Sequence, residues 1–169
     1  MSTCHFPPQK HLWFDCFVDD PSAYETHLNA LIDNACSPVL IRLDFANKLQ
    51  LQQFTLPEPV KVNLAVDSGK IKKFEFGECI ELRLYSIDHS WKSKKIRSVV
   101  APCLCTKLIL GLSFLASHSI VIDHKTWTII NKHCGKDLNK DETKPQKKLK
   151  PFEEIYQSGG KCIKTGKHF

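Results

Sequence analysis

Long apolar runs and paired cysteines are both missing from this 169-residue chain, and each absence argues against a class of protein. No stretch approaches the roughly 20 consecutive apolar residues that a membrane-crossing helix needs, and residues 1–10 lack the basic start and apolar stretch of an export signal. The eight cysteines include no CxxC pair. The sequence therefore predicts reduced thiols, no membrane partner, and a cytoplasmic or nuclear location.

An even distribution of charge is also missing, because the net charge of +6 is concentrated near the C-terminus. Residues 132–169 hold ten lysines and five acidic residues, whereas the preceding residues hold 14 basic and 13 acidic ones. Apolar runs stop at about the same point. The sequence predicts a folded domain over residues 10–132, an N-terminal extension over residues 1–9, and a basic, disordered tail or linker over residues 133–169.

Short apolar stretches with a period of two dominate the predicted domain. Residues 60–66 and 80–84 alternate as strands do, and small polar residues at 67–70 predict a hairpin turn. A second hairpin is predicted to turn at residues 88–91. Helical patterns are limited to residues 43–51 and 113–118. The fold class that follows is all-β with one or two short helices.

Two passages carry residues from which a function can be argued. Leu31 and Ile32 are followed directly by Asp33, then by small residues and a second apolar run, so a strand ends by presenting a carboxylate in a tight loop. Far downstream, residues 108–115 form an apolar stretch interrupted by Gly111, where a glycine permits close backbone packing.

Together these passages resemble a retropepsin, the aspartic protease of retroviruses and of gypsy-type long-terminal-repeat retrotransposons, over about residues 10–132. Family members carry two apolar residues, Asp, then Ser, Thr or Asn, Gly and a small residue; residues 31–36 match except at Ala35. The family's Ile-Leu-Gly-x-x-Phe-Leu passage is matched from Ile109, Leu110 and Gly111 onward, and residues 122–129 match its closing motif. The version at residues 30–34 is most similar to elements from fungal genomes.

The resemblance implies an aspartic endopeptidase with the acid protease fold, a closed, barrel-like protomer, and no metal or organic cofactor. Since the chain has one matching Asp loop, it implies a homodimer in which two copies of Asp33 share one proton and cleave a peptide or retrotransposon polyprotein. The active-site loop would consist of Asn34, Ala35 and Cys36 beside that acid, with Asn34 linking the two chains by hydrogen bonds. The flap over the substrate would contain Val66, Asp67, Ser68 and Gly69.

Asp67 offers a competing position for the catalytic acid, because residues 67–69 spell the literal Asp-Ser-Gly of the family. The lysines that follow Gly69 stand where the family has small and then apolar residues, whereas residues 36–41 fit that pattern. Asp33 is therefore preferred.

Ala35 leaves a second alternative open, since the family has glycine there. If the loop requires a positive φ, the methyl group would cost on the order of 1 kcal/mol and could misplace the carboxylate. The alternative is a catalytically degenerate dimerisation or binding module.

Other site chemistries find weaker support in the sequence. Cys103 and Cys105, or His133 and Cys134, do not make the spacing of a zinc site, and Cys36 is interpreted as a small packing residue rather than a nucleophile. The histidines follow no ligand pattern and are interpreted as surface imidazoles: His118, His124 and His133. Asp123 is interpreted as a turn residue.

Four lysines of the tail suggest a nucleic-acid partner as another alternative: Lys144, Lys147, Lys148 and Lys150. Stacking aromatics are sparse there, because Phe152 and Tyr156 are separated by two glutamates. A solvated linker is favoured, and salt-dependent binding lost on deletion of residues 132–169 would identify the nucleic-acid alternative.

Overall fold

The computed structural model describes residues 11–19, 25–65 and 71–141. Within these residues two short helices are present, α1 (Leu43–Lys48) and α2 (Leu112–Ser117). The strands are β1 (Leu12–Val18), β2 (Thr26–Ile32), β3 (Val39–Arg42), β4 (Gln53–Ala65), β5 (Ile71–Leu82), β6 (Leu84–Ser86), β7 (Ile96–Ala101), β8 (Leu108–Leu110), β9 (Ile120–Asp123), β10 (Thr128–Asn131) and β11 (Lys136–Asp137). The predicted all-β class with short helices is confirmed.

The strands form two sheets. Eight strands pair in the order β4-β5-β7-β3-β8-β2-β1-β6, and three pair in the order β11-β10-β9. Two pairs at the centre of the larger sheet are parallel, β2 with β8 and β3 with β7. Closure of this sheet into a barrel stays a prediction, because β4 and β6 stand at the two ends of the strand order.

Apolar side chains collect in two clusters. The main core takes the inward face of β1, where Phe14, Cys16 and Val18 are fully buried, and it includes Phe114 of α2. A smaller cluster joins the β4–β5 hairpin to β3, β7 and β8; its buried members are Leu40, Val62, Phe76, Val99, Ala101, Leu104 and Ile109. This smaller cluster lies beside the loop that follows β2, because Cys36 of that loop packs against it.

Both helices differ slightly from their predicted bounds. α1 ends at Lys48 rather than near residue 51, because Gln50 has a φ of 51°, which a right-handed helix cannot continue. α2 begins at Leu112, one residue before the predicted start.

The second predicted hairpin has its turn but not its strand pair. His89 adopts a φ of 57° in the turn, and a bridge joins Tyr85 to Lys92. β6 pairs with β1, however, and β7 pairs with β5 and β3. The residues of the turn therefore predicted that the chain reverses direction here. They did not predict the strand pairing, which depends on strands that are distant in the sequence.

The folded part extends past residue 132. Leu138 is fully buried in the main core, and the Lys136 ammonium lies 2.5 Å from the Asp88 carboxylate, with these side chains 9% and 2% exposed. Burial opposes ionisation of Asp88, but hydrogen bonds from Lys136, Ser86 and Ser90 hold its pKa well below the usual range. Residues 136–139 therefore pack on the domain, although composition placed them in the tail.

The prediction that His118 is a surface imidazole is wrong. The residue is 8% exposed, its ring lies 4.6 Å from that of Phe114, and its Nδ1 donates to the Phe114 carbonyl at 2.9 Å. Its Nε2 accepts a hydrogen bond from the Lys94 N–H at 3.1 Å. Burial lowers the pKa of His118, with a smaller contribution from the Lys94 charge. The prediction was based on the absence of a metal-ligand spacing around His118. That spacing gives no information on whether the ring packs against an aromatic side chain.

We expect the free energy of unfolding to fall as the pH drops below the ordinary histidine pKa of about 6.5. Because the pKa of His118 is lowered in the folded protein, the unfolded chain takes up the proton first, and the loss continues until the folded pKa is reached. Urea unfolding at several pH values between 7.5 and 5 measures this dependence. His118→Gln should flatten it, whereas His124→Gln at an exposed position should not; equal slopes in both variants would contradict the assignment.

Candidate active site

Asp33 is the first residue after β2 and is held by backbone pairing to a distant strand. Leu31 and Ile32 pair in parallel with Ile109 and Leu110 of β8, and the Asp33 N–H donates to the Leu110 carbonyl at 3.1 Å. The two passages singled out in the sequence are therefore neighbours in the fold. This pairing fixes the point from which the carboxylate projects.

The loop after Asp33 folds back onto its carboxylate. The Ala35 N–H donates to Asp33 Oδ1 at 2.9 Å, and the Cys36 N–H donates to the Asp33 carbonyl at 3.3 Å. Ala35 is not among the described non-glycine residues with positive φ, which are Gln50, His89, Ser119 and Trp127. An alanine at this place supplies the backbone N–H without left-handed strain. The Asn34 side chain is exposed.

Gly111 packs against the backbone of the same loop. A Cβ at this position would lie 2.2 Å from the Pro38 carbonyl oxygen and 2.5 Å from that of Cys36. The next two N–H groups of the chain, at the start of α2, donate to the Cys36 and Ser37 carbonyls at 2.7 and 3.0 Å. Close contact and these two hydrogen bonds join the loop after β2 to α2.

Cys36 has the environment of a packing residue. Its side chain is half-buried beside the smaller cluster, and its thiol donates to the Pro38 carbonyl at 3.4 Å. Burial, with a contribution from the Asp33 charge, raises the pKa of Cys36 to about 11. A thiol that stays protonated at neutral pH is a poor nucleophile, which favours the interpretation as a packing residue.

A groove of about 360 Å³ opens beside the Asp33 carboxylate. Strand β4 of the hairpin contributes one wall and the loop after β2 another; the lining residues are Asp33, Ala35, Cys36, Ser37, Pro38, Lys61, Val62, Asn63 and Ile109. Sequence reasoning missed Lys61 and Asn63. The alternation along β4 predicts polar neighbours of a buried valine, but it carries no information on which loop the hairpin faces.

The predicted flap residues Val66, Asp67, Ser68 and Gly69 lie outside the described residues. The strands on either side of them, β4 and β5, pair antiparallel as far as Ala65 opposite Ile71. The described structure therefore places Asp33 in the groove and gives no position for Asp67.

The described part of the chain gives no support to the other kinds of site considered from the sequence. No group of three or more His, Cys, Asp or Glu side chains within it is arranged to hold a metal ion, and its six cysteines are free. Asp123 accepts hydrogen bonds from the N–H groups of Lys125 and Thr126, which confirms its turn role. None of the described helices has the length and apolar character to span a membrane. The tail lysines Lys144, Lys147, Lys148 and Lys150, and with them the nucleic-acid hypothesis, lie outside the described residues.

Comparisons with known proteins identify the family and the fold. A family model described as the PEG10/RTL1 protease domain matches residues 29–137. The crystal structure of the retroviral protease-like domain of Ddi1 from Leishmania major is similar, with 16% sequence identity, 73% of this chain and 90% of that chain covered, and a TM-score of 0.52. A retropepsin-like aspartic protease from Rickettsia conorii matches at 19% identity, 67% and 76% coverage, and a TM-score of 0.38. No curated protein matches the chain.

Proposed function

We propose, on the premise that this chain belongs to the PEG10/RTL1 protease domain family, that it is an aspartic endopeptidase that acts as a homodimer. The observation that carries the proposal is the position of Asp33. Its carboxylate opens into a groove between a hairpin and a loop that is held by β8 and α2. The family, the fold and the groove all support peptide hydrolysis at this acid.

The need for a second chain follows from the chemistry of the groove. Asp33 is the one acidic residue among the described residues that line it. Hydrolysis by carboxylates takes two of them close enough to share a proton, so the second comes from a second copy of the chain, related by a two-fold axis that passes between the two acids.

In the dimer, the ionised Asp33 accepts a proton from a water molecule while the water oxygen attacks the peptide carbonyl carbon. The protonated Asp33 of the other chain donates its proton to the carbonyl oxygen. The tetrahedral intermediate then loses that hydroxyl proton to a carboxylate, the C–N bond breaks, and the amine leaves with a proton from the other Asp33. Both carboxyls return to one shared proton, and no cofactor takes part.

The geometry at Ala35 favours this active enzyme over a degenerate module. Its N–H keeps the hydrogen bond to Asp33 Oδ1, and its φ is not positive. A degenerate loop would follow from left-handed strain at this residue, and Ala35 does not have it. As the substrate we propose an extended peptide segment of a retrotransposon-type polyprotein, from the gypsy-like character of the motifs.

Mixed dimers test the proposal. Wild-type chain is mixed with a ninefold excess of the Asp33→Asn chain, and cleavage of a diverse peptide mixture is followed from pH 4 to 7. Random exchange leaves about one tenth of the wild-type chains paired with each other, so the rate per wild-type chain should fall about tenfold.

An excess of the Asp123→Asn chain serves as the control, because it retains Asp33 and should add activity. If the rate per wild-type chain is the same with and without the Asp33→Asn excess, a site shared between two chains is excluded. Absence of cleavage by the wild-type chain at every pH would favour the degenerate alternative.

A further inference from the structure

A row of apolar side chains crosses the larger sheet next to Asp33. The strand registers pair one residue from each of five neighbouring strands, namely Val99, Leu40, Ile109, Leu31 and Trp13. Side chains of directly paired residues point to the same face of a sheet. The row therefore places five apolar side chains on one face, with Trp13 at its end.

This face is the one that carries the groove. Three residues of the row are buried in the smaller cluster, Leu31 packs against that cluster, and Ile109 also lines the groove. Asp33, the first residue after β2, lines the same groove as Ile109. The row thus forms an apolar floor that borders the carboxylate.

Trp13 extends this floor beyond Leu31 and is 41% exposed. Because neighbouring strands lie about 4.8 Å apart, Trp13 is one strand spacing from Leu31 and two from Ile109. A single exposed tryptophan needs no special explanation. The Trp13 indole, however, continues a buried apolar row at the edge of the site. Its exposed part is an apolar surface that a substrate side chain would cover.

The backbone at Trp13 is fixed on both edges. On one edge β1 pairs with β2. On the other, Asn139 Nδ2 donates to the Trp13 carbonyl at 2.8 Å, and Asn139 Oδ1 accepts from the Asp15 N–H at 3.1 Å. A surface whose backbone is already ordered loses less conformational freedom when a ligand binds.

We propose that Trp13 forms one wall of the substrate subsite beside the scissile bond, and that it selects peptides with a large apolar or aromatic side chain at that position. The inference rests on the proposed function, because it takes Asp33 as the point of cleavage. Trp13 acts here as a specificity-determining residue and takes no part in proton transfer.

Digestion of a mixed peptide library, with mass-spectrometric identification of the cut bonds, tests the subsite. Trp13→Ala should lower cleavage beside Phe, Tyr, Trp or Leu about tenfold relative to cleavage beside smaller residues. Trp127→Ala is the matched control, because Trp127 is equally exposed, at 41%, and lies in the turn between β9 and β10 of the smaller sheet. An unchanged ratio in Trp13→Ala would overturn the proposal.

A binding measurement separates failure of the subsite from failure of the proposed function. The Asp33→Asn chain, with and without Trp13→Ala, is titrated with a fluorescent peptide that has a central phenylalanine and with its alanine counterpart. The subsite is supported if Trp13→Ala raises the Kd of the phenylalanine peptide about tenfold and leaves that of the alanine peptide unchanged. This result would stand even if the wild-type chain cuts no bond and the peptidase function fails. Equal Kd values in the two chains overturn the subsite.

Discussion

Asp33→Asn is expected to abolish peptide cleavage, with kcat/KM lowered by about 10³-fold or more. The asparagine side chain keeps an oxygen that can accept the Ala35 N–H, so the loop can retain its hydrogen bond. It can neither take a proton from water nor hold the proton that two carboxyls share. Rates measured at several pH values on a peptide that the wild-type chain cuts would give the size of the loss.

Asp67→Asn is the matched control, because Asp67 stands in the sequence that spells the family triplet literally. This variant should retain cleavage, with urea unfolding used to show that both variants are folded. Loss of cleavage in Asp67→Asn together with its retention in Asp33→Asn would reverse the assignment of the catalytic acid.

Gly111→Ala should strongly destabilise the domain, with a loss of about 3 kcal/mol or more in the free energy of unfolding. Its methyl group would meet three carbonyl oxygens, those of Pro38, Cys36 and Ser37, at 2.2, 2.5 and 2.9 Å. Backbone atoms cannot rotate away as the end of a side chain can. Relief requires the active-site loop to move off α2, which would also displace Asp33.

Gly77→Ala provides the comparison within the same chain, since nothing lies within 4 Å of a Cβ added at Gly77. Its effect on stability should stay within about 1 kcal/mol. Urea unfolding of the two variants measures the difference, and a Gly111→Ala chain as stable as Gly77→Ala would show that the loop and α2 are not in contact as described.

The arrangement around Asp33 was accessible from sequence because it depends on local signals. An apolar strand that ends at an acid, and a glycine inside a second apolar strand, each constrain their own neighbourhood, and the family pattern joins them. The burial of Leu138 and the hydrogen bonds of Asn139 were not accessible. Both depend on contacts across the fold, and the surrounding lysines gave their segment the composition of a solvated tail.

Trp13 shows the same limit in another form. Alternation along β1 predicts that its side chain faces away from the main core, which is the case. Its place beside Leu31 and Ile109 depends on the order of strands that are far apart in the chain. The alternation of apolar and polar residues predicts on which face of the sheet a side chain lies. Its neighbours on the adjacent strands depend on the pairing of segments that are distant in the sequence.

The amide of Asn139 also has a protective role at the edge of the larger sheet. β6 pairs with β1 only from Cys16 to Val18, so the Asn139 side chain occupies the place of a neighbouring strand beside Trp13 and Asp15. A chain shortened to residue 132 would uncover those backbone groups and leave the space of Leu138 empty. Such an edge is a template for pairing with other chains, so the shortest version of this domain that stays dispersed at high concentration should end after Asn139.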